Sequence, residues 1–132
     1  MTALGRVLLV DDQPQIARLV REALRDFGYH VKAALTVGEA LGLIDVYRPD
    51  VVILGLWAPR MARAATILDD VRRRDDGVPI VVISASRDLE AARAILATAF
   101  DFVTTPIDLE VLAQVVSAAM LERDHMAGRG PR

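Results

Sequence analysis

Five short apolar runs alternate along this chain with five segments of helical periodicity, and that alternation limits the chain to few folds. Three of the runs are apolar almost throughout, as strands buried on both faces of a parallel sheet are. The second run carries His30 and Lys32, which suits an edge strand. The runs are Val7–Val10, Tyr29–Ala34, Val51–Leu56, Val78–Ile83 and Phe102–Thr104. Strict alternation of strand and helix requires right-handed crossovers, so we predict a doubly wound, three-layer α/β sandwich.

The segments between the runs have apolar residues at helical spacing and recognisable ends. The first predicted helix begins at Pro14 and ends before Gly28. Its apolar stripe comprises Ile16, Leu19, Val20, Ala23, Leu24 and Phe27. Thr36 and Glu39 predict a capping box at the second helix, and Asp108 predicts an N-cap for the fifth.

Length and composition indicate one soluble domain. The chain has 132 residues, 53% of them hydrophobic, which is enough for one core and short for two. The helical pattern of the fifth segment fades after Arg123, so we assign residues 1–123 to the domain and 124–132 to a flexible tail. A net charge of −2 argues against nucleic acid or an anionic membrane as a partner. No apolar run is long enough for a membrane span, and we expect a cytoplasmic protein.

The ends of the predicted strands carry the residues of chemical interest, because ligands of open parallel sheets bind beyond the carboxyl ends of the strands. These residues are Asp11 and Asp12 after the first strand, Gly55 in the third, Ser84 after the fourth, and Thr105 with Pro106 after the fifth. Adjacent carboxylates repel each other unless a cation or hydrogen-bond donors compensate. The residues alone therefore leave two interpretations of the acidic pair open: a metal site, or a cap for the helix that begins near Pro14.

Over nearly its whole length, this chain resembles the receiver domain of response regulators in two-component (phosphorelay) signalling. The features that carry the resemblance are the acidic pair, the apolar third strand, Ser84 and Pro106. The resemblance implies a flavodoxin-like (βα)5 fold whose five-stranded parallel sheet has the order 2-1-3-4-5. In this family the position matching Gly55 is the aspartate that accepts the phosphoryl group. The position matching Thr105 is a lysine that pairs with that group.

Gly55 and Thr105 therefore imply a degenerate, atypical receiver domain. Glycine has no side chain with which to attack phosphorus or bind a metal, and threonine has no charge. The family's pocket holds three aspartates and one lysine, a formal sum of −2; this chain keeps two aspartates and no lysine, again −2. Because the two losses together leave the local charge unchanged, they fit a site that drifted after phosphoryl transfer ceased to matter.

Each remaining site residue has two interpretations. By the resemblance, Asp11 and Asp12 match the pair that helps hold Mg²⁺. A hard cation needs several oxygen ligands, and without a third-strand carboxylate we expect weak Mg²⁺ binding and no required cofactor. Ser84 matches the hydroxyl that bonds the phosphoryl group, with ordinary turn or capping chemistry as the alternative. Phe102 matches the switch aromatic whose rotamer reports activation, with an ordinary core aromatic as the alternative.

The favoured function is a signalling module that binds proteins without being phosphorylated, and not an enzyme. One alternative is a response regulator phosphorylated at a substitute residue, Asp12 or Ser84. Such a reaction needs an in-line nucleophile and a neutralised transition state, and both are reduced here. A second alternative is a small-ligand sensor that uses the vacated pocket beside Gly55. Trp57 can fill that space or serve as a surface anchor.

The resemblance also implies protein partners: a histidine kinase, another regulator or an effector. A homodimer is expected through the face of the fourth helix, fifth strand and fifth helix, because its charges of both signs permit self-complementarity. The residues expected on this face are Arg87, Glu90, Arg93, Ala97, Glu110, Gln114 and Ser117. The alternative is a plain solvated surface.

Overall fold

The computed structural model describes residues 4–56, 63–85 and 99–129, with side chains described as far as residue 123. The strands are β1 (Arg6–Val10), β2 (His30–Ala34), β3 (Val51–Leu56), β4 (Ile80–Ala85) and β5 (Asp101–Thr105). The helices are α1 (Pro14–Asp26), α2 (Val37–Tyr47), α3 (Ala64–Arg74) and α4 (Leu109–Arg129). The fourth predicted helix lies outside the described residues, so α4 corresponds to the fifth predicted one.

The five strands form one parallel sheet in the order β2-β1-β3-β4-β5. This confirms the predicted doubly wound, flavodoxin-like topology and places β2 at one edge, as His30 and Lys32 indicated. No helix within the described ranges combines the length and apolarity that crossing a membrane requires.

The core consists of two apolar layers, one on each face of the sheet, because successive side chains of a strand point to opposite faces. One layer joins Leu9 and Ile53 to α1 and α4. The other joins Leu8 and Leu54 to α2 and α3. These four strand side chains are fully shielded from solvent. The central strands thus form a rigid base for the residues at their carboxyl ends.

Two predicted helix caps are confirmed. The Thr36 hydroxyl oxygen accepts a hydrogen bond from the Glu39 amide at 3.1 Å and opens α2. Asp108 Oδ1 accepts from the amides of Glu110 and Val111 at 3.0 and 3.2 Å and opens α4. Each side chain satisfies backbone donors that the first turn of a helix leaves without partners.

Several sequence predictions differ from the structure, among them the position of Ser84, which lies within β4 and not after it. The fourth strand starts at Ile80 instead of Val78, because Pro79 has no amide hydrogen and joins β3 only through its carbonyl, which accepts from Val52 at 3.0 Å. The backbone stays helical to Arg129, beyond the predicted domain end at residue 123. In the first helix, the predicted stripe wrongly includes Leu19 and Phe27, whose exposed fractions are 49% and 46%.

Asp75 and Arg123 connect the end of α3 to α4. Two parallel hydrogen bonds of 2.8 and 3.2 Å join the guanidinium to the carboxylate, and the Gly77 amide donates to the same carboxylate at 3.1 Å. Burial opposes the charge on Asp75, yet the hydrogen bonds and charge of Arg123 hold the pKa of this carboxyl below its ordinary value.

Replacing this carboxylate is expected to give a pH-dependent loss of stability. Asp75→Asn should lower the free energy of unfolding by about 2 kcal/mol near neutral pH, since hydrogen bonds to charged groups are worth roughly that much. A carboxyl whose pKa is lower in the folded state than in the unfolded chain stabilises the fold at pH values above its ordinary pKa of about 4. This contribution is lost as the pH falls through the folded-state pKa. The difference from wild type should therefore shrink in urea titrations at about pH 3.

Asp70→Asn is the matched control, because its partner Arg73 is 75% exposed and the pair lies at the surface. Its effect should stay below about 0.5 kcal/mol at either pH. Equal losses for Asp75→Asn at both pH values would contradict the role given to the Asp75 charge.

Candidate functional site

The sheet register brings the predicted site residues to one edge. Gly55 pairs with Ile83, one residue before Ser84 on the neighbouring strand β4. Ser84 in turn pairs with Thr104, and Ala85 pairs with Thr105. On the other side of β3, Val10 pairs with Leu54, so Asp11 follows at the level of Gly55. Asp11, Gly55, Ser84 and Thr105 therefore come from four consecutive strands of the sheet.

Asp11 is fully buried at the end of β1 and is held by backbone groups. Its amide donates to the Ala34 carbonyl at 3.0 Å, and its Oδ1 accepts from the Gln13 amide at 2.8 Å. Gln13, which has no capping side-chain bond, is the N-cap residue of α1. Asp11 therefore shapes the turn into α1 without being the N-cap, so the cap interpretation is wrong for Asp11, and the metal interpretation stays a prediction. Asp12 is exposed.

Gly55 is buried within β3, whose residues are all shielded from solvent. Because it pairs in register with β4, its backbone is extended, a conformation that any residue adopts. Glycine is thus not required here by backbone conformation, and the strand simply presents no functional group at this point. Trp57 lies outside the described residues.

Ser84 is fully buried, and its hydroxyl donates a long hydrogen bond of 3.4 Å to the Ala85 carbonyl, its one hydrogen bond to the part of the chain that the structure describes. Ser84 lies within β4, where it pairs with Leu56 and Thr104, so it is a strand residue and not the turn or cap residue that the sequence offered as an alternative. Because the Ser84 hydroxyl is buried and bonds to the adjacent residue, a phosphoryl donor in solvent has little access to it.

Thr105 is half-buried at the end of β5, and the peptide bond between Thr105 and Pro106 is cis, a question that the sequence left open. Phe102 is half-buried and packs against the core layer shared with α2 and α3. Phe102 therefore contacts the core with part of its ring, and both interpretations of it, switch aromatic and core aromatic, stay predictions.

The residues present fit a divalent metal poorly. In the described part of the chain, no group of three or more acidic or histidine side chains is arranged to hold a metal ion. One oxygen of Asp11 already accepts the Gln13 amide. Hard cations take six or more oxygen ligands, so the carboxylates of Asp11 and Asp12 alone form an incomplete set.

A cavity of about 530 Å³ opens next to the acidic pair, between the ends of β1 and β2 and the start of α3. Its polar groups include Asp12, Thr36 and Arg63, and its apolar wall includes Leu35 and Ile67. Sequence reasoning missed Thr36 and Arg63 as site residues. The sequence did contain an indication for Thr36. It follows the second predicted strand, just as Asp11, Ser84 and Thr105 follow the first, fourth and fifth.

Relatives establish the family. The chain matches the sequence profile of the response regulator receiver domain over residues 7–117. It belongs to the receiver domain family. The chain is 33% identical over 116 residues to the nitrogen assimilation regulatory protein NtrX of Azorhizobium caulinodans, covering 86% of this chain and 26% of that relative. It is 39% identical over 114 residues to the transcriptional regulatory protein KdpE of Mycobacterium tuberculosis, covering 85% of this chain and 50% of that protein.

Solved structures agree with this assignment. The crystal structure of the receiver domain of NtrX from Brucella abortus superposes with a TM-score of 0.78 at 28% identity, covering 87% of this chain and 98% of that one.

The present chain spans between about a quarter and half of the length of the curated relatives that it matches. It is thus a receiver domain of the two-component response regulator type, and the activities of those longer proteins do not transfer with it.

Proposed function

We propose that this receiver domain is degenerate and acts as a phosphorylation-independent protein-interaction module, with no enzymatic activity of its own. The observation that carries the proposal is the set of side chains at the strand ends. β3 contributes Gly55 where a nucleophile would stand, and β5 contributes the uncharged Thr105. A scaffold with an intact core, no carboxylate at position 55 and no cation at position 105 retains surfaces for binding and lacks two of the groups that phosphoryl transfer uses in this family.

The buried position of Ser84 argues against phosphorylation at that substitute residue, because an incoming phosphodonor must reach the nucleophile in line. Asp12 is exposed and remains the more accessible of the two substitutes. No third-strand carboxylate completes a metal site here and Thr105 replaces the lysine, so Arg63, in the cavity beside Asp12, would have to neutralise the charge that develops during transfer.

The cavity beside Asp12 favours a second candidate function, the sensing of a small ligand. Its volume of about 530 Å³ lies in the range of ligand sites, and it combines an apolar wall with Arg63 and Thr36. Binding of a metabolite there would act on the same edge of the sheet that phosphorylation controls in other receiver domains. Loss of binding in Arg63→Ala, measured by calorimetry on a candidate ligand, is the result that this function requires.

The partners proposed for the module are a histidine kinase, another regulator or an effector, and a second copy of the chain. Glu110, Gln114 and Ser117 of α4, predicted on the dimer face, are exposed, but they line a groove with Leu4, Phe27 and Tyr29 and so lie on the side of α4 toward α1 and not toward β5. Arg87, Glu90, Arg93 and Ala97 lie outside the described residues. Sedimentation of the chain as a monomer at high concentration and low salt would eliminate the dimer and leave heterologous partners.

A titration with Mg²⁺ tests the degenerate site directly. Trp57, the only tryptophan, lies two residues beyond Gly55 in sequence, so its fluorescence is a local probe. We expect no saturable change below roughly 1 mM Mg²⁺, because the carboxylate set is incomplete. Saturable quenching at lower concentrations, removed by Asp11→Asn and by Asp12→Asn, would show that the two remaining carboxylates suffice. Arg73→Gln, on the exposed side of α3, is a matched surface control.

A further inference from the structure

A second cavity, of about 310 Å³, opens near the amino ends of the strands, away from the candidate site. Arg48 and Asp75 directly follow α2 and α3 and precede β3 and β4, so they lie near the points where those strands begin. Arg123 of α4 reaches the same place, where it bonds to Asp75. The described residues that line the cavity are Ile44, Asp45, Arg48, Arg74, Asp75 and Arg123. A function of this cavity is therefore independent of the glycine at position 55.

Arginine dominates the lining of this cavity. Arg48, Arg74 and Arg123 come from three separate segments of the chain, and Asp45 and Asp75 are the acidic residues beside them. Three arginines against two aspartates leave one positive charge in excess. An isoleucine supplies the apolar contact of the described lining. The cavity therefore suits a small anionic, polar ligand.

Two of these arginines have acidic partners that leave part of their donor capacity unused. Arg123 forms two parallel hydrogen bonds with Asp75, and Arg74 Nη1 donates to Asp45. A guanidinium has more N–H donors than these bonds use. Arg48, by contrast, forms no ion pair with any carboxylate whose side chain the structure describes. The excess positive charge of the cavity can thus be assigned to Arg48.

The backbone at Arg48 is unfavourable for any residue that has a Cβ. Arg48 is the C-cap of α2 and has a φ of 53°, in the left-handed region that favours glycine. Its carbonyl accepts from Arg6 Nε at 3.2 Å, but a glycine would offer the same carbonyl. A side chain kept at a position where the backbone favours glycine indicates that the guanidinium itself has a role.

We propose that this cavity binds the doubly charged phosphate group of a small polar molecule. One guanidinium fork matches a planar carboxylate, whereas the tetrahedral oxygens of a phosphate accept from donors that approach from several directions. Arg48, Arg74 and Arg123 approach from three segments and suit the second geometry. The volume of about 310 Å³ lies at the lower end of the range of ligand sites, roughly 300–1,000 Å³, and suits a small phosphate monoester.

An NMR titration of the whole chain at about pH 7.5 tests this proposal, with glycerol 3-phosphate, inorganic phosphate and acetate at matched ionic strength. A phosphate monoester is doubly charged at this pH, because its second pKa is about 6. We expect glycerol 3-phosphate to bind with a dissociation constant of about 1 mM and to shift the amide signals of Arg48, Arg74 and Asp75. Acetate should bind at least about tenfold more weakly.

The order of the two phosphates identifies the ligand. Tighter binding of glycerol 3-phosphate supports a monoester, and tighter binding of inorganic phosphate would overturn the organic part of the proposal. Equal binding of acetate, shifts confined to other parts of the chain, or no saturable binding of either phosphate at about 10 mM would overturn the whole of it.

Two variants separate the role of the Arg48 guanidinium from that of the backbone. Arg48→Gln should weaken binding of glycerol 3-phosphate about tenfold, the loss expected for one hydrogen bond to a charged group. Arg48→Gly should bind as weakly, yet unfold at a urea concentration no lower than that of the wild type, because glycine relieves the left-handed backbone.

Arg73→Gln is the matched control, since Arg73 is the neighbour of Arg74 on α3 but is exposed and paired with Asp70 at 2.9 Å. Its affinity for glycerol 3-phosphate should equal that of the wild type. Unchanged binding in Arg48→Gln, or unfolding of Arg48→Gly at a lower urea concentration than the wild type, would overturn the role given to Arg48.

Discussion

Gly55→Asp alone is expected to lower the free energy of unfolding by about 3 kcal/mol, and Thr105→Lys is expected to recover part of that loss. The new carboxylate would be buried near Asp11, where a second uncompensated charge is costly. A lysine at the end of β5 supplies the opposite charge at the same sheet edge. A double-mutant cycle from urea titrations should give a favourable coupling of about 1–2 kcal/mol between the two substitutions.

Gly42→Asp is the matched control for this cycle. It also replaces a glycine by aspartate, but a Cβ added at Gly42 has open space around it on the surface of α2. Its effect should remain within about 1 kcal/mol and should be independent of Thr105→Lys. Strict additivity of Gly55→Asp and Thr105→Lys would contradict the argument that the two losses compensate each other electrostatically.

Leu24→Ala is expected to lower the free energy of unfolding by about 3 kcal/mol, because Leu24 is fully buried in the core layer between α1 and the sheet. Leu19→Ala removes the same atoms from the same helix at a side chain that is 49% exposed. It should cost less than about 1 kcal/mol. Urea denaturation of the two variants measures this difference directly.

The comparison of these two leucines also tests the helix orientation. A helical stripe in sequence contains both residues, whereas the structure turns Leu19 toward the edge of the buried face. Equal losses in both variants would favour the broader stripe that the sequence suggested and would contradict the observed packing of α1.

The fold was predictable because each step depends on local pattern. Apolar runs, helical spacing and the caps at Thr36 and Asp108 specify the elements, and strict alternation then leaves few topologies. The predictions that failed depend on tertiary contacts, which a local sequence pattern does not contain. The start of β4 depends on which backbone groups of Pro79 face β3, and the exposure of Phe27 depends on where α1 ends, since Phe27 is the C-cap residue just after its last turn.

The candidate site was predictable only where strands deliver residues to one edge. Asp11, Gly55, Ser84 and Thr105 come together because the sheet order fixes their neighbours. The cavity next to Asp12 depends on the distance between the β2–α2 turn and α3, which no local pattern encodes.

Tyr47 shows the same limit on prediction. Its hydroxyl donates to the His30 carbonyl at 3.0 Å, and burial raises the pKa of Tyr47 to about 12. Both facts follow from the packing of α2 on the edge strand, which places residues far apart in sequence in contact.

Intact-mass measurement after incubation with acetyl phosphate and Mg²⁺ tests the central claim most directly, with the Gly55→Asp/Thr105→Lys variant as the positive control. The proposed degenerate site predicts that the wild-type mass stays unchanged, while the variant gains the mass of one phosphoryl group. A phosphorylated wild-type chain would contradict the account, and fragmentation that places the group on Asp12 or Ser84 would establish a substitute phosphoacceptor instead.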